Sequence, residues 1–487
     1  MVGRGVRMWV ARIVAAVRRN GQGVSARALL SPVALFLAAC GPKEPVREVL
    51  ALTNARVVDG NGGAVLDNVT ILVEDGRIAL IGPTPAVTFP ADARHVDLTG
   101  QVVMPGLIDM HYHVTTAAMR YRRDHEGRLD STYDRRLAER LLRVALAHGI
   151  TTIRDPGGSP VEAAIALREA VDSGRLLGPR ILTAGPIVSD PTISPERLRQ
   201  EIRTQADAGV DFIKLYSGIG PDLLRIAVDE AHARRLRVIG HLQRTSWTEA
   251  ALAGLDFLTH GGNWHQAYVL PSRRSAYEKL GGTMRARIAW LEWLDVDGPA
   301  VDTMIEALRE HRVSVDPTLV AYHTKFWWRD SIYQQDPDVA LVPELVENWR
   351  VLGMHTSDWT AEEFDRAQAA WPNMLALVGR MQREGVHLTT GSDLASPWVI
   401  PGMALHQELA LLVSAGIPSA EVLRMATRNG AGALGLLAGS GTVEPGKRAD
   451  LVVLEADPLR DIRNTRRIRY VVLGGRMFRP DELLAGR

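Results

Sequence analysis

Through the middle of the chain, short apolar runs bounded by Gly, Pro and Asp alternate with stretches whose apolar positions recur at helical spacing, the texture of a parallel sheet covered by helices. The runs at 103–109, 150–154, 180–184, 211–216, 238–241, 257–260, 313–316 and 387–390 read as strands, with 135–148, 195–208 and 221–234 as amphipathic helices between them. Eight units of this kind over residues 104–440 predict an α/β fold, a (β/α)8 TIM barrel with insertions. The two ends of the chain differ. β-Rich runs broken by Gly and Asp turns occupy 50–58, 69–73 and 77–81 and return only at 449–454 and 468–478, which predicts a small β-sandwich domain assembled from 49–103 and 441–487. Insertions after the sixth and seventh strands, 263–299 and 318–373, carry Trp264, Trp290, Trp293, Trp327, Trp328, Trp349 and Trp359. Packing of extra helices is the plainer use for these rings, and the second insertion is expected to form a lid or pocket wall.

Polar residues fall at the C-terminal ends of the predicted strands, the face where such barrels carry their chemistry. The first strand runs through Met104-Pro-Gly-Leu-Ile-Asp109 into His111 and His113. Alternate residues of an extended chain point to one side, so two imidazoles at this spacing suit a single metal ion. Strand four carries Lys214, strands five and six end in His241 and His260, and strand eight runs into Gly391-Ser392-Asp393. Each alone has an ordinary use: Lys214 can reach solvent, His260 can cap the barrel rim, and Asp393 can cap the next helix. Their joint arrangement at one face points to a shared site. Tyr216 lies two residues past Lys214 and faces the same side, as a substrate contact or as rim packing.

Composition changes the picture only at the amino terminus. A chain with 46% hydrophobic and 23% charged residues is globular, and a net charge of +1 offers nothing to nucleic acid. Six arginines and no acid or lysine precede residue 40, so removing that segment takes the formal charge from +1 to −5. An apolar run at 28–39, too short to span a membrane comfortably, ends at the only cysteine, and Leu37-Ala-Ala-Cys40 resembles the bacterial lipobox. Residues 1–39 therefore read as a lipoprotein signal peptide, with Met8 as an alternative start, and 40–48 as a tether. Lipidated Cys40 is expected to hold the protein on a membrane of the bacterial cell envelope, exported to the periplasmic side or the outer membrane. The lone cysteine excludes a disulfide within the chain. Cys40→Ser is expected to release the protein from membranes at unchanged specific activity, as read by fractionation; retention at the wild-type level would refute the anchor.

The motifs 104–113, Gly149-Ile-Thr-Thr-Ile-Arg-Asp-Pro-Gly-Gly158, Ile213-Lys-Leu215, Thr389-Thr-Gly-Ser-Asp393 and the tail 441–454 together resemble the amidohydrolase superfamily, and within it the prolidase-like and imidazolonepropionase-like enzymes. The resemblance implies the barrel, the split β-domain and a two-zinc site. His111, His113 and Asp393 would bind one Zn2+, His241 and His260 the other, and Lys214, converted by carbon dioxide to a carbamate, would bridge both. A desolvated lysine has a lowered pKa, and its neutral amine can form that anionic ligand. Two ions roughly 3.5–4 Å apart can hold a hydroxide between them and polarise a carbonyl. Asp393 would pass the hydroxide's proton to the leaving amine as the catalytic acid–base. The expected reaction is hydrolysis of an amide C–N bond in a small molecule, a dipeptide or N-acyl amino acid. Two alternatives stay open, a mononuclear cyclic-amide hydrolase or deaminase of the imidazolonepropionase kind, and a non-catalytic metal-binding surface lipoprotein. Such deaminases tend to carry a glutamate three residues past the strand-five histidine, where this chain has Arg244, and no residue of the binuclear set is missing. Self-association into a homo-oligomer stays open as well.

Overall fold

The computed structural model describes residues 49–158, 160–353 and 359–485, so the expectations for the signal segment, Cys40 and the tether lie outside the described residues. Eight short strands run in chain order: β1 Leu107–Asp109, β2 Ile150–Asp155, β3 Arg180–Thr183, β4 Phe212–Leu215, β5 Arg237–Gly240, β6 Phe257–Thr259, β7 Ser314–Asp316 and β8 His387–Leu388. All pair in parallel, β1 to β3 in one sheet and β4 to β8 in a second. Between β3 and β4, Ala184 bridges to Phe212; between the ends of β8 and β1, Met110 N donates to Thr390 O at 2.8 Å and Tyr112 bridges to Leu394. Every residue of β2, β4, β6 and β7 is buried, as in a parallel sheet covered by helices.

The covering helices start where local chemistry places them. Asp134 accepts from Leu137 N at the head of Arg135–Ala147, and Ser194 accepts from Arg197 N at the head of Pro195–Asp207, with Pro195 in its first turn. Thr360 and Glu363 cap Ala361–Arg383 reciprocally. In Arg135–Ala147, Leu137, Leu141, Leu142 and Ala145 lie on the buried face at helical spacing. No helix among the described residues is long and apolar enough to cross a membrane.

Both ends of the chain meet in one sheet of eight strands: Val49–Val57, Leu66–Glu74, Arg77–Pro83, Arg94–Asp97, Val102–Pro105, Leu451–Leu454, Ile468–Leu473 and Arg476–Phe478. Its core holds Leu52, Val57, Ile71, Val103, Leu451 and Val453. All eight strands are hydrogen-bonded into one sheet: Val102–Pro105 lies parallel to Val49–Val57 on one side and antiparallel to Leu451–Leu454 on the other. The run 103–109, expected as one strand, is two strands in two sheets, Val102–Pro105 and Leu107–Asp109. Both halves are buried, which hides the break from hydrophobicity. The chain steps across at Gly106, where a β carbon would stand 2.1 Å from Thr151 Oγ1. A polar antiparallel ribbon, Met119–Arg123 with Leu129–Tyr133, went unforeseen because it offers no apolar alternation. The insertions are helical, and Trp264, Trp290, Trp349 and Trp359 are buried.

Candidate metal centre and its cavity

Neighbouring strand ends hold one another at the C-terminal face. His241 N donates to Leu215 O at 3.0 Å, His260 N to Asp316 O at 2.8 Å, and Asp393 N to His111 O at 2.7 Å. His111, His113, Lys214, Tyr216, His241, His260 and Asp393 consequently all line one cavity of about 460 Å³. Around it His260 (φ 78°), Thr318 (φ 45°), Asp393 (φ 60°) and Ala395 (φ 94°) occupy left-handed backbone. Each such residue costs on the order of 1–3 kcal/mol, and strain of this kind gathers where side-chain aim matters more than stability.

The aim of two histidines is fixed from behind. His113 Nδ1 lies 2.6 Å from the carbonyl oxygen of Gly157, which can only accept, so Nδ1 carries the proton and Nε2 a lone pair. Gly157 presents that carbonyl from a φ of 118°, open to glycine. His111 Nδ1 donates to Asp316 Oδ2 at 2.7 Å, and Arg154 donates to the other carboxylate oxygen at 2.7 Å. Two lone pairs, His111 Nε2 and His113 Nε2, then face each other at 3.2 Å, with Asp393 Oδ1 at 3.3 and 3.8 Å from them. Burial drives both imidazoles toward the neutral form, His113 to about 3 and His111 well below its ordinary value. Three acceptors converge with no proton to share, an arrangement a cation satisfies.

The remaining groups surround this trio. His260 Nε2 approaches His241 Nδ1 at 2.5 Å, its Nδ1 is 2.7 Å from Thr318 Oγ1, and its ring centre lies 5.3 Å from that of His111. Lys214 is 1% exposed, and burial lowers its pKa to about 7. Among the described residues, neither Lys214 Nζ nor His241 Nε2 has a hydrogen-bond partner. Burial raises the pKa of Asp393, and Ser396 donates to its Oδ2 at 2.8 Å, leaving Oδ1 toward the histidines. Tyr216 lines the cavity and packs 4.2 Å from the His241 ring.

Sequence reasoning missed the supports. Asp316 ends a strand that was foreseen, but its partner Arg154, also buried, sits 162 residues away, beyond any local spacing. Thr318 behind His260, and Arg287, Tyr322 and Lys325 on the cavity wall, come from or just before the inserted helices. Asp316→Asn is expected to weaken metal binding by roughly 10–100-fold, the usual worth of a group that orients a ligand. Competition with a chelator measures it; unchanged affinity would mean that Asp316 serves only to neutralise Arg154.

A family model described as the amidohydrolase family matches residues 102–478. An imidazolonepropionase of Agrobacterium fabrum is 23% identical over 455 residues, 87% of this chain and 91% of that protein. A dihydroorotase of Syntrophotalea carbinolica is 40% identical over 78 residues, a match spanning only 17% of that relative's length and 16% of this chain. Among solved structures, a proposed prolidase from Bifidobacterium longum aligns with a TM-score of 0.66 at 26% identity, covering 91% of this chain and 99% of that one.

Proposed function

The chain belongs to the amidohydrolase family and is a metal-dependent hydrolase of carbon–nitrogen bonds; from that premise we propose a (β/α)8 barrel enzyme that holds two zinc ions and hydrolyses the amide bond of a dipeptide or N-acyl amino acid. The carrying observation is the convergence of His111 Nε2, His113 Nε2 and Asp393 Oδ1 as three acceptors. In this reading they would hold one ion and His241 and His260 the other. Lys214 would serve both once its neutral amine has added to carbon dioxide and lost a proton, giving a carbamate whose single negative charge is shared by two oxygens. Its buried, unpartnered nitrogen and lowered pKa support that step. Bound there, the ions supply Lewis acidity toward the substrate carbonyl and acidify a water.

The chain's own residues do the rest. Asp393 takes the proton of the attacking water, and Ser396 steadies its carboxyl by donating to Oδ2. The same carboxyl then delivers the proton to the departing nitrogen as the C–N bond breaks. Arg287 and Lys325 line the cavity and offer two cations to one anion, which favours a substrate whose amine half ends in a carboxylate. The likeness to a proposed prolidase supports the same class. We place the enzyme outside the cytoplasmic membrane on an acylated Cys40, by the lipobox reading.

The rival reading, one ion and a cyclic amide, draws on the similarity to an imidazolonepropionase and on the compactness of the His111–His113–Asp393 set. Zinc analysis of the purified Cys40→Ser protein, followed by a screen of dipeptides, N-acyl amino acids and ring amides, separates the two. Two zinc ions per chain with amino-acid release are expected; one ion and turnover confined to ring amides would favour the rival.

A further inference from the structure

Beside the metal-centre cavity lies a second of about 390 Å³, whose lining includes Ser217, Gln243, Arg244, Trp264, Tyr277 and Arg287. The two are close neighbours. Tyr216 lines the first and Ser217 the second, Gln243 follows His241 by two residues, and Arg287 lines both. The Arg287 guanidinium carbon lies 5.7 Å from the ring of Tyr322, in the first cavity, and 5.5 Å from that of Trp264, in the second. The partition is thus made of side chains, one of them long and flexible.

The second cavity has a fixed aromatic wall. Trp264 is 5% exposed, its ring 5.0 Å from that of Tyr322. It adopts a φ of 55°, and Tyr277 Oη donates to its carbonyl at 2.7 Å. Arg244 and Arg287 outnumber the one acid in the lining, Glu278.

We propose that this cavity is the subsite for the side chain of the substrate's amine half and that it selects an acidic one, of the glutamyl or aspartyl type. The inference rests on the reading above, in which the α-carboxylate meets Arg287. The side chain on that same carbon then has the second cavity beside it, where a carboxylate can pair with Arg244.

Titration calorimetry of the purified holoenzyme with N-acetyl-L-glutamate and N-acetyl-L-leucine tests this, with hydrolysis of both followed in parallel. The wild type is expected to bind the glutamate derivative about ten-fold more tightly. Arg244→Ala should bring that ratio near one, and Arg244→Lys, which keeps the charge but not the fork of donors, should keep part of it. The ratio is the readout, so a general loss of folding does not imitate the effect. Equal binding by the wild type, or a preference that survives in Arg244→Ala, overturns the subsite. Selective binding without hydrolysis of either compound upholds the subsite and counts against amide hydrolysis instead.

Discussion

Asp393→Asn is expected to lower turnover by about 10²–10⁴, the usual worth of a positioned acid–base group, while most of the bound zinc stays in place. The separation of the two effects follows from geometry. Asparagine is nearly isosteric and keeps a carbonyl oxygen that can face His111 and His113, while its NH2 can donate to the Ser396 hydroxyl in place of the bond that Ser396 gives the carboxylate. It also tolerates left-handed backbone better than most residues, so the φ of 60° at this position is no obstacle. What the amide cannot do is take a proton from water at neutral pH. Zinc content and kcat measured on the same preparation decide the matter; metal lost in step with activity would make Asp393 chiefly a ligand.

Lys214→Ala is expected to cost at least one zinc ion per chain and, with it, nearly all activity. Nothing else in the cavity can supply a bridging anion from β4, because Phe212, Ile213 and Leu215 are apolar. Small carboxylic acids such as acetate should restore part of the activity by placing a carboxylate in the space the side chain leaves. The variant is not expected to unfold: the lost amine has no hydrogen-bond partner among the described residues, so its removal strands no buried donor or acceptor. Two retained zinc ions, or activity indifferent to added carboxylate, would reject the bridge.

The sequence reveals strand ends better than what stands behind them. All eight parallel strands were legible because each is a short, largely apolar run closed by turn residues, and the seven proposed site residues line one cavity. Legibility fails wherever the signal is a distance in space. Arg154 pairs with Asp316, Arg287 stands against Trp264 and Tyr322, and no periodicity announces either arrangement. Gly106 shows the opposite failure: a continuous apolar run conceals a change of sheet that only the crowding by Thr151 explains. The ribbon 119–133 is lost for a third reason, since strands that bury no face carry no hydrophobic alternation.

The single ladder joining both termini dictates an order of events during synthesis. Val102–Pro105 emerges from the ribosome early, but the strand that covers its second edge, Leu451–Leu454, is translated only after the whole catalytic half. Until then a fully apolar strand keeps one row of backbone groups unsatisfied, the kind of open edge that recruits neighbouring chains. Pairing across so much intervening chain is slow to nucleate. Nascent molecules therefore carry this open edge for most of their time in translation, and the final few dozen residues act as the latch that ends the exposure.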